Sequence, residues 1–358
     1  MRVETYIPGL SKNTVDIVKH AEALGYDTLV SGELNNEPFL PVLMGLEHSQ
    51  MIVRTGLAIA FPRSPMTVAN MGWDLQSFGD GRFQLGLGTQ VKGHNERRFS
   101  VPWSPPAPRM REYILAVKAI WNTWKTSKKL DFQGEHYTHT LMTPMFTPPP
   151  MECDLPPIYV SGLGPGMARI AGEVADGLLL HPMCSPQYIH EVIIPAVAEG
   201  AKKSGRSPDE CELLWGGFIA TGETEEDLQA AKRAIAARIS FYASTRTYRP
   251  ALEFHGWEDI NEALHKLSIE GKWEEMFALV TDEMVDTLGF TGTGKEVAHA
   301  LKDNLGPICS AVMWNEVEHL GVDHSKDEHV AAWIIEKMRG WSDIKNGDIE
   351  SVYSKDVL

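Results

Sequence analysis

Between Thr89 and Phe99 the chain reads Thr-Gln-Val-Lys-Gly-His-Asn-Glu-Arg-Arg-Phe. Gln90, His94 and Glu96 can donate, accept or transfer protons, and Lys92, Arg97 and Arg98 can hold an anion, with Arg109 and Arg111 following shortly. The same residues also suit a solvated loop with local salt bridges. A second segment, Ser161-Gly162-Leu163-Gly164-Pro165-Gly166-Met167, has three glycines in five residues. Glycine lets backbone approach a ligand closely, and Pro165 opens a helix whose free N–H groups and dipole point back at the loop. The pattern favours a phosphate cradle over a plain strand–helix turn. A third segment, Gly289 to Glu296, nearly matches the P-loop pattern GxxxxGK[ST], but Glu296 stands where a hydroxyl should hold Mg²⁺. A carboxylate there repels phosphate, so helix capping is the better reading and nucleotide hydrolysis is set aside. Cys153, Cys184, Cys211 and Cys309 form no CxxC and read as reduced thiols, and no ligand set assembles around His136 and His139, so no metal is expected.

Lys plus Arg number 33 and Asp plus Glu 48, a net charge of −15, which argues against nucleic acid or an anionic membrane as the main partner. A hydrophobic share of 43% over 358 residues supplies a large core and excludes wholesale disorder. No apolar run reaches the roughly 18 residues of a membrane span, and MRVETYIPGL lacks a signal peptide's apolar region. A soluble, cytoplasmic protein is expected.

The elements that must position these residues alternate almost throughout. Strands are predicted at Arg2–Tyr6, Asp27–Val30, Thr55–Ala60, Arg82–Gly88, Pro157–Ser161, Gly177–Leu180, Glu212–Thr221 and Cys309–Trp314, each followed by helix. Ser64-Pro65 and Thr293 with Glu296 read as helix starts, and Thr224 with Asp227 resembles one. Two stretches break the rhythm. Residues 100–156 hold a proline-rich insertion with one helix, Ala107–Trp124, and a hairpin turning at Gly134; residues 241–290 hold a largely helical one. Eight β/α units with insertions after strands 4 and 7 predict an α/β fold, a single (β/α)8 TIM barrel over residues 1–342 with a tail at 343–358; a doubly wound open sheet is the runner-up. In such a barrel the chemistry sits at the C-terminal strand ends, which here are Ser31-Gly32-Glu33, Ala60-Phe61, Gly88-Thr89-Gln90, Ser161 to Gly164, His181-Pro182 and Trp314-Asn315.

The chain resembles the bacterial luciferase-like family of flavin and deazaflavin oxidoreductases. The residues that carry this are Gly25-Tyr26-Asp27-Thr28 leading to Glu33, Gly56 to Ala60, Ser64 to Ala69, Gly81 to Gly88, and Ala171 to Gly177. Gly88 to Lys92 with His94 and Glu96 to Phe99, and Tyr248-Arg249-Pro250 with His255-Gly256-Trp257, are similar to the branch that uses the deazaflavin coenzyme F420. The resemblance implies a flavin-like ring at the barrel mouth, near Thr89 and Gln90, with the coenzyme phosphate on Gly162, Leu163, Gly164, Pro165 and Gly166. It also implies a non-prolyl cis peptide under the ring, placed by alignment at Ala58–Ile59, and a homodimer. Arg97 and Arg98 would suit the coenzyme's anionic tail, and Trp103, Tyr248 and His255 would wall the substrate pocket. Where relatives carry an Asp-His pair after the second strand, this chain has Gly32-Glu33, so a sugar-phosphate dehydrogenase is not implied.

The expected reaction is hydride transfer between the deazaflavin C5 and a small organic substrate. Glu33 or His94 would be the general acid/base, with Gln90 beside them. The alternatives are a two-component monooxygenase using reduced FMN and a non-catalytic flavin-binding barrel; polar Glu33, Gln90 and His94 at the mouth speak against the latter.

Overall fold

The computed structural model describes residues 1–314; Asn315, the remainder of the 1–342 span and the 343–358 tail lie outside the described residues. Thirteen strands are described: β1 Arg2–Tyr6, β2 Thr28–Ser31, β3 Ile52–Thr55, β4 Ala58–Ile59, β5 Phe83–Gly88, β6 Phe132–Gln133, β7 Thr138–His139, β8 Ile158–Gly162, β9 Gly177–Leu180, β10 Glu212–Trp215, β11 Phe218–Thr221, β12 Gly289–Gly292 and β13 Ala311–Met313. Eight of them, in the order β1-β2-β3-β5-β8-β9-β10-β13 and back to β1, pair in parallel and close the barrel. Helices α1 Thr14–Leu24, α2 Phe39–His48, α3 Pro65–Phe78, α4 Lys92–Arg97, α5 Pro106–Thr126 and α6 Pro165–Val174 follow the first strands, and further helices continue the alternation.

Local chemistry explains the boundaries. Gly25 ends α1 at φ 93°, a left-handed position that glycine takes without strain, and its N–H caps the Ala21 and Glu22 carbonyls. Ser64 caps α3 through Oγ, with Pro65 in the first turn. Thr293 and Glu296 form a complete capping box, so the near-P-loop is a helix start, whereas at Thr224 only the forward half is made. The barrel interior holds a polar layer. Arg54 donates to both carboxylate oxygens of Glu4, Nη1 at 2.7 Å, and to Gln84 Oε1 at 3.3 Å. Nearby, Glu212 accepts from Arg2 Nη2 at 2.7 Å and from the Tyr159 hydroxyl at 2.6 Å.

Four expectations need correction. The single strand Thr55–Ala60 is two, and the cis peptide is Gly56–Leu57, not Ala58–Ile59. Ala58 and Ile59 instead pair regularly with Leu87 and Gly88, while Gly56 lies where a side chain would strike Val30. The predicted strand Glu212–Thr221 also divides, because the Trp215 indole lies where a Gly217 side chain would be and the chain turns away from the barrel. Its second half, β11, pairs in parallel with β12 as a separate two-stranded sheet. The segment Gly289–Gly292, read only as a lead into a helix, is therefore a strand. The segment between β11 and β12, residues 222–288, holds nearly all of the second insertion, which this small sheet therefore brackets. In the first insertion the β6–β7 hairpin turns at Gly134 as expected, and the Glu112 carboxylate of α5 holds it by accepting from the His136 and Tyr137 backbone N–H groups. Among the described residues no helix is long and apolar enough to cross a membrane.

Candidate active site

The barrel order places the ends of β5, β8 and β9 side by side, so Gly88-Thr89-Gln90, Gly162 and His181 meet at one side of the mouth. His181 N–H donates to the Gly162 carbonyl at 3.4 Å, tying the glycine loop to the next strand end. A side chain at Gly162 would meet Met167 at 2.6 Å, whereas above Gly164 and Gly166 there is open space. Gly164 is the N-cap of α6, and no side-chain hydrogen bond caps that end. The loop thus offers room and a helix N-terminus where an anion can sit.

The fourth loop is held from within. Gln90 sits at φ 55°, unusual for a residue with a side chain, and its Oε1 accepts from Val91 N–H at 2.9 Å. Asn95 is fully buried; its Nδ2 donates to Thr89 O at 2.9 Å and also reaches the Gln90 and Val91 carbonyls. Its Oδ1 is sealed from solvent and has no protein partner. Asn95 was missed in the sequence because its neighbours carry charges and it does not. His94 is exposed on α4.

The cationic cluster is less available than its composition suggested. Arg98 donates to Leu34 O at 2.6 Å and lies over the Phe99 ring, bracing the loop after β2 against the loop after β5. Lys92 pairs loosely with Glu96 at 3.9 Å, and Arg97 Nη2 lies 2.9 Å from where a Gly93 side chain would begin. Arg109 and Arg111 are occupied structurally: Arg109 binds the Tyr137 hydroxyl and packs over Phe61, and Arg111 pairs with Glu173 at 2.8 Å.

Glu33 reaches the mouth but is engaged there. Its Oε2 accepts from Ile59 N–H and from Arg63 Nη1, both at 2.7 Å, and Arg63 also donates to Ile59 O. The carboxylate therefore fixes β4, the segment that holds Ala58 and Ile59, beneath the mouth.

Of the proposed pocket residues, Tyr248 stands at the mouth with its ring 4.2 Å from that of His181. Tyr242 meets the imidazole edge-on at 4.9 Å, and the two tyrosine rings lie 6.0 Å from each other. Burial pushes the Tyr248 phenol up to about 12 and the His181 imidazole down to about 3. His181 was visible as a strand end, but nothing in the sequence announced that the second insertion would enclose it. His255 lies elsewhere: its Nε2 is 2.9 Å from Ser185 Oγ and its ring stacks on Trp257. Ser185 is the N-cap of the helix starting at Pro186, so His255 pins the insertion to the loop after β9. Burial lowers its basicity. Trp103 is half-buried at the start of the first insertion.

Comparisons with known proteins agree with this geometry. The uncharacterized protein Rv1360 of Mycobacterium tuberculosis is 42% identical over 314 residues, covering 87% of this chain and 92% of that protein. The 5,10-methylenetetrahydromethanopterin reductase of Archaeoglobus fulgidus is 26% identical over 294 residues, 80% of this chain and 84% of the reductase. The coenzyme F420-dependent tetrahydromethanopterin reductase of Methanopyrus kandleri superposes with a TM-score of 0.73 at 19% identity, covering 94% and 97% of the two chains. With residues 6–306 matching the model of the luciferase-like monooxygenases, this barrel, with its open glycine loop after the fifth stave, belongs to that family.

Proposed function

We propose that the protein is a coenzyme F420-dependent oxidoreductase that moves a hydride between the deazaflavin C5 and a small organic substrate. The observation that carries this reading is the loop at Gly162 to Gly166, open above Gly164 and Gly166 and backed by the N-terminus of α6. In this reading the room above the loop and the N-terminus of α6 take the coenzyme's phosphate. The Archaeoglobus relative, a reductase by name, and the F420-dependent Methanopyrus enzyme with the same fold support F420 over FMN.

The bound coenzyme would supply the hydride chemistry. The chain's residues do the rest. Leu163, Gly164, Pro165 and Gly166 hold the phosphate, Thr89 and Gln90 border the ring, and Glu33 fixes Ala58 and Ile59 below it. Arg97, on the exposed side of α4, faces the anionic tail in this reading, while Arg98 braces the loop. Of the two proton carriers, His94 is the better placed, since the Glu33 carboxylate is already bound to Ile59 and Arg63. Fluorescence titration with F420 and with FMN tests the assignment. Micromolar F420 binding and much weaker FMN binding are expected; the reverse order would move the protein to reduced-FMN oxygenase chemistry.

A further inference from the structure

His181 has a feature that a residue serving only to pack does not need. Its Nδ1 lies 3.2 Å from Met183 N–H and accepts from it, so the ring proton must sit on Nε2. Nε2 has no partner among the described residues, yet it is not among the sealed, unsatisfied polar atoms. The residue is partly exposed while its ring is framed by Tyr242 and Tyr248, as expected of a group on the floor of a concave mouth. The titratable groups against it are those two phenols and the Cys184 thiol, whose backbone N–H binds the His181 carbonyl. None of them brings a negative charge at neutral pH, and burial keeps the imidazole uncharged.

We propose that His181 presents Nε2–H as a fixed hydrogen-bond donor to the oxygen of a ketone, an α,β-unsaturated ketone or a secondary alcohol, and that the substrate carries such an oxygen at, or conjugated with, the reacting carbon. A protonated imine has no lone pair for this donor and would not be held. The inference rests on the hydride-transfer reading above. Hydride arriving at the carbonyl carbon sends the C=O electron pair to oxygen, whose developing charge the Nε2–H bond stabilises. The proton that completes the alcohol comes from the solvent side, through His94, and His181 keeps its own. Alcohol oxidation runs the same steps backwards.

Two readouts separate this inference from the coenzyme assignment. In the first, ¹⁵N NMR of histidine-labelled protein without coenzyme should show His181 with bare Nδ1 and protonated Nε2, unchanged from pH 8 to 5. Titration near 6.5, or a proton on Nδ1, overturns the proposal whatever coenzyme binds. In the second, reduced F420 is supplied with cyclohexanone, 2-butanone or 2-cyclohexenone. His181→Phe keeps a ring against Tyr248 and removes the donor; kcat/KM should fall about 100-fold, the loss typical of one oxyanion donor, with F420 affinity unchanged. His181→Gln, which restores an N–H near the Nε2 position, should recover part of the loss. Equal rates for His181→Phe and wild type overturn the donor role. Ketones that leave both the Nε2–H resonance and the rate unmoved, with F420 bound, overturn the substrate class and leave the coenzyme reading intact. Absence of F420 binding defeats the coenzyme reading alone, and the NMR result then still decides the tautomer.

Discussion

The barrel holds two polar regions that follow opposite rules. In the interior layer both carboxylates are paired: Glu4 with Arg54, each 2% exposed, and Glu212 with Arg2 and Tyr159. At the mouth, Gln90 and His181 each use one polar atom to lock the protein and leave another over. The interior carboxylates are spent on ion pairs that hold neighbouring staves together, while the Nε atoms of Arg2 and Arg54 stay sealed in the layer without a partner among the described residues. Mouth groups are held rigid by one bond, and in the proposed reading the second meets a ligand at a set position. Neither burial nor leftover hydrogen-bonding capacity separates the two regions by itself; what differs is whether the leftover atom is sealed in the interior, as at Arg54 Nε, or open to the mouth, as at His181 Nε2.

The sharpest way to break this contrast is in the interior. Arg54→Met leaves Glu4 buried and unpaired and should cost about 3–5 kcal/mol, read as a large shift in the urea midpoint. If the shift is under about 1 kcal/mol, the interior layer is not the structural region described above. Glycines test both regions with one chemistry. Gly86→Ala would drive its methyl into the Thr55 carbonyl of the neighbouring stave and should cost about 1–3 kcal/mol or more, whereas Gly164→Ala meets open space. The latter should leave stability within about 0.5 kcal/mol and weaken F420 binding.

The next effect is one of pH. His181 has a folded-state value near 3 against the ordinary 6.5, so below 6.5 the unfolded chain binds the proton and the folded one does not. Stability should fall as pH drops through this window, at up to about 1.4 kcal/mol per pH unit. In His181→Phe that part of the slope should vanish when urea melts at pH 5 and 7 are compared; an unchanged slope would mean that the imidazole titrates normally. Smallest is Ser185→Ala, which removes an N-cap and the His255 contact and should cost about 1 kcal/mol by thermal melting. Because this contact anchors the insertion away from the mouth, F420 affinity should hold.

Much of the architecture was legible in the residues. Period and punctuation gave eight staves because Gly25, Ser64-Pro65 and Thr293 with Glu296 act locally, and the open glycine loop could be read for the same reason. What escaped depends on contacts between distant segments. The turn at Gly217 depends on Trp215 folding over it, and the pairing of β11 with β12 joins residues about seventy apart. The site shows the same division. The glycines of the Gly162 to Gly166 loop are plain in the composition, but whether Glu33 is a free acid or a clamp depends on Arg63, and the enclosure of His181 depends on Tyr242 and Tyr248. Charged residues drew attention to Arg97, Arg98 and His94, while uncharged Asn95 holds the loop together.

The pairing of β11 with β12 bears on how such proteins diversify. Because the ladder joins Phe218–Thr221 to Gly289–Gly292, the second insertion leaves and rejoins the scaffold at neighbouring points. The stretch carrying Tyr242 and Tyr248 is thus a cassette with a closed neck: its length and sequence can drift, reshaping one wall of the mouth, without changing the register of any barrel stave.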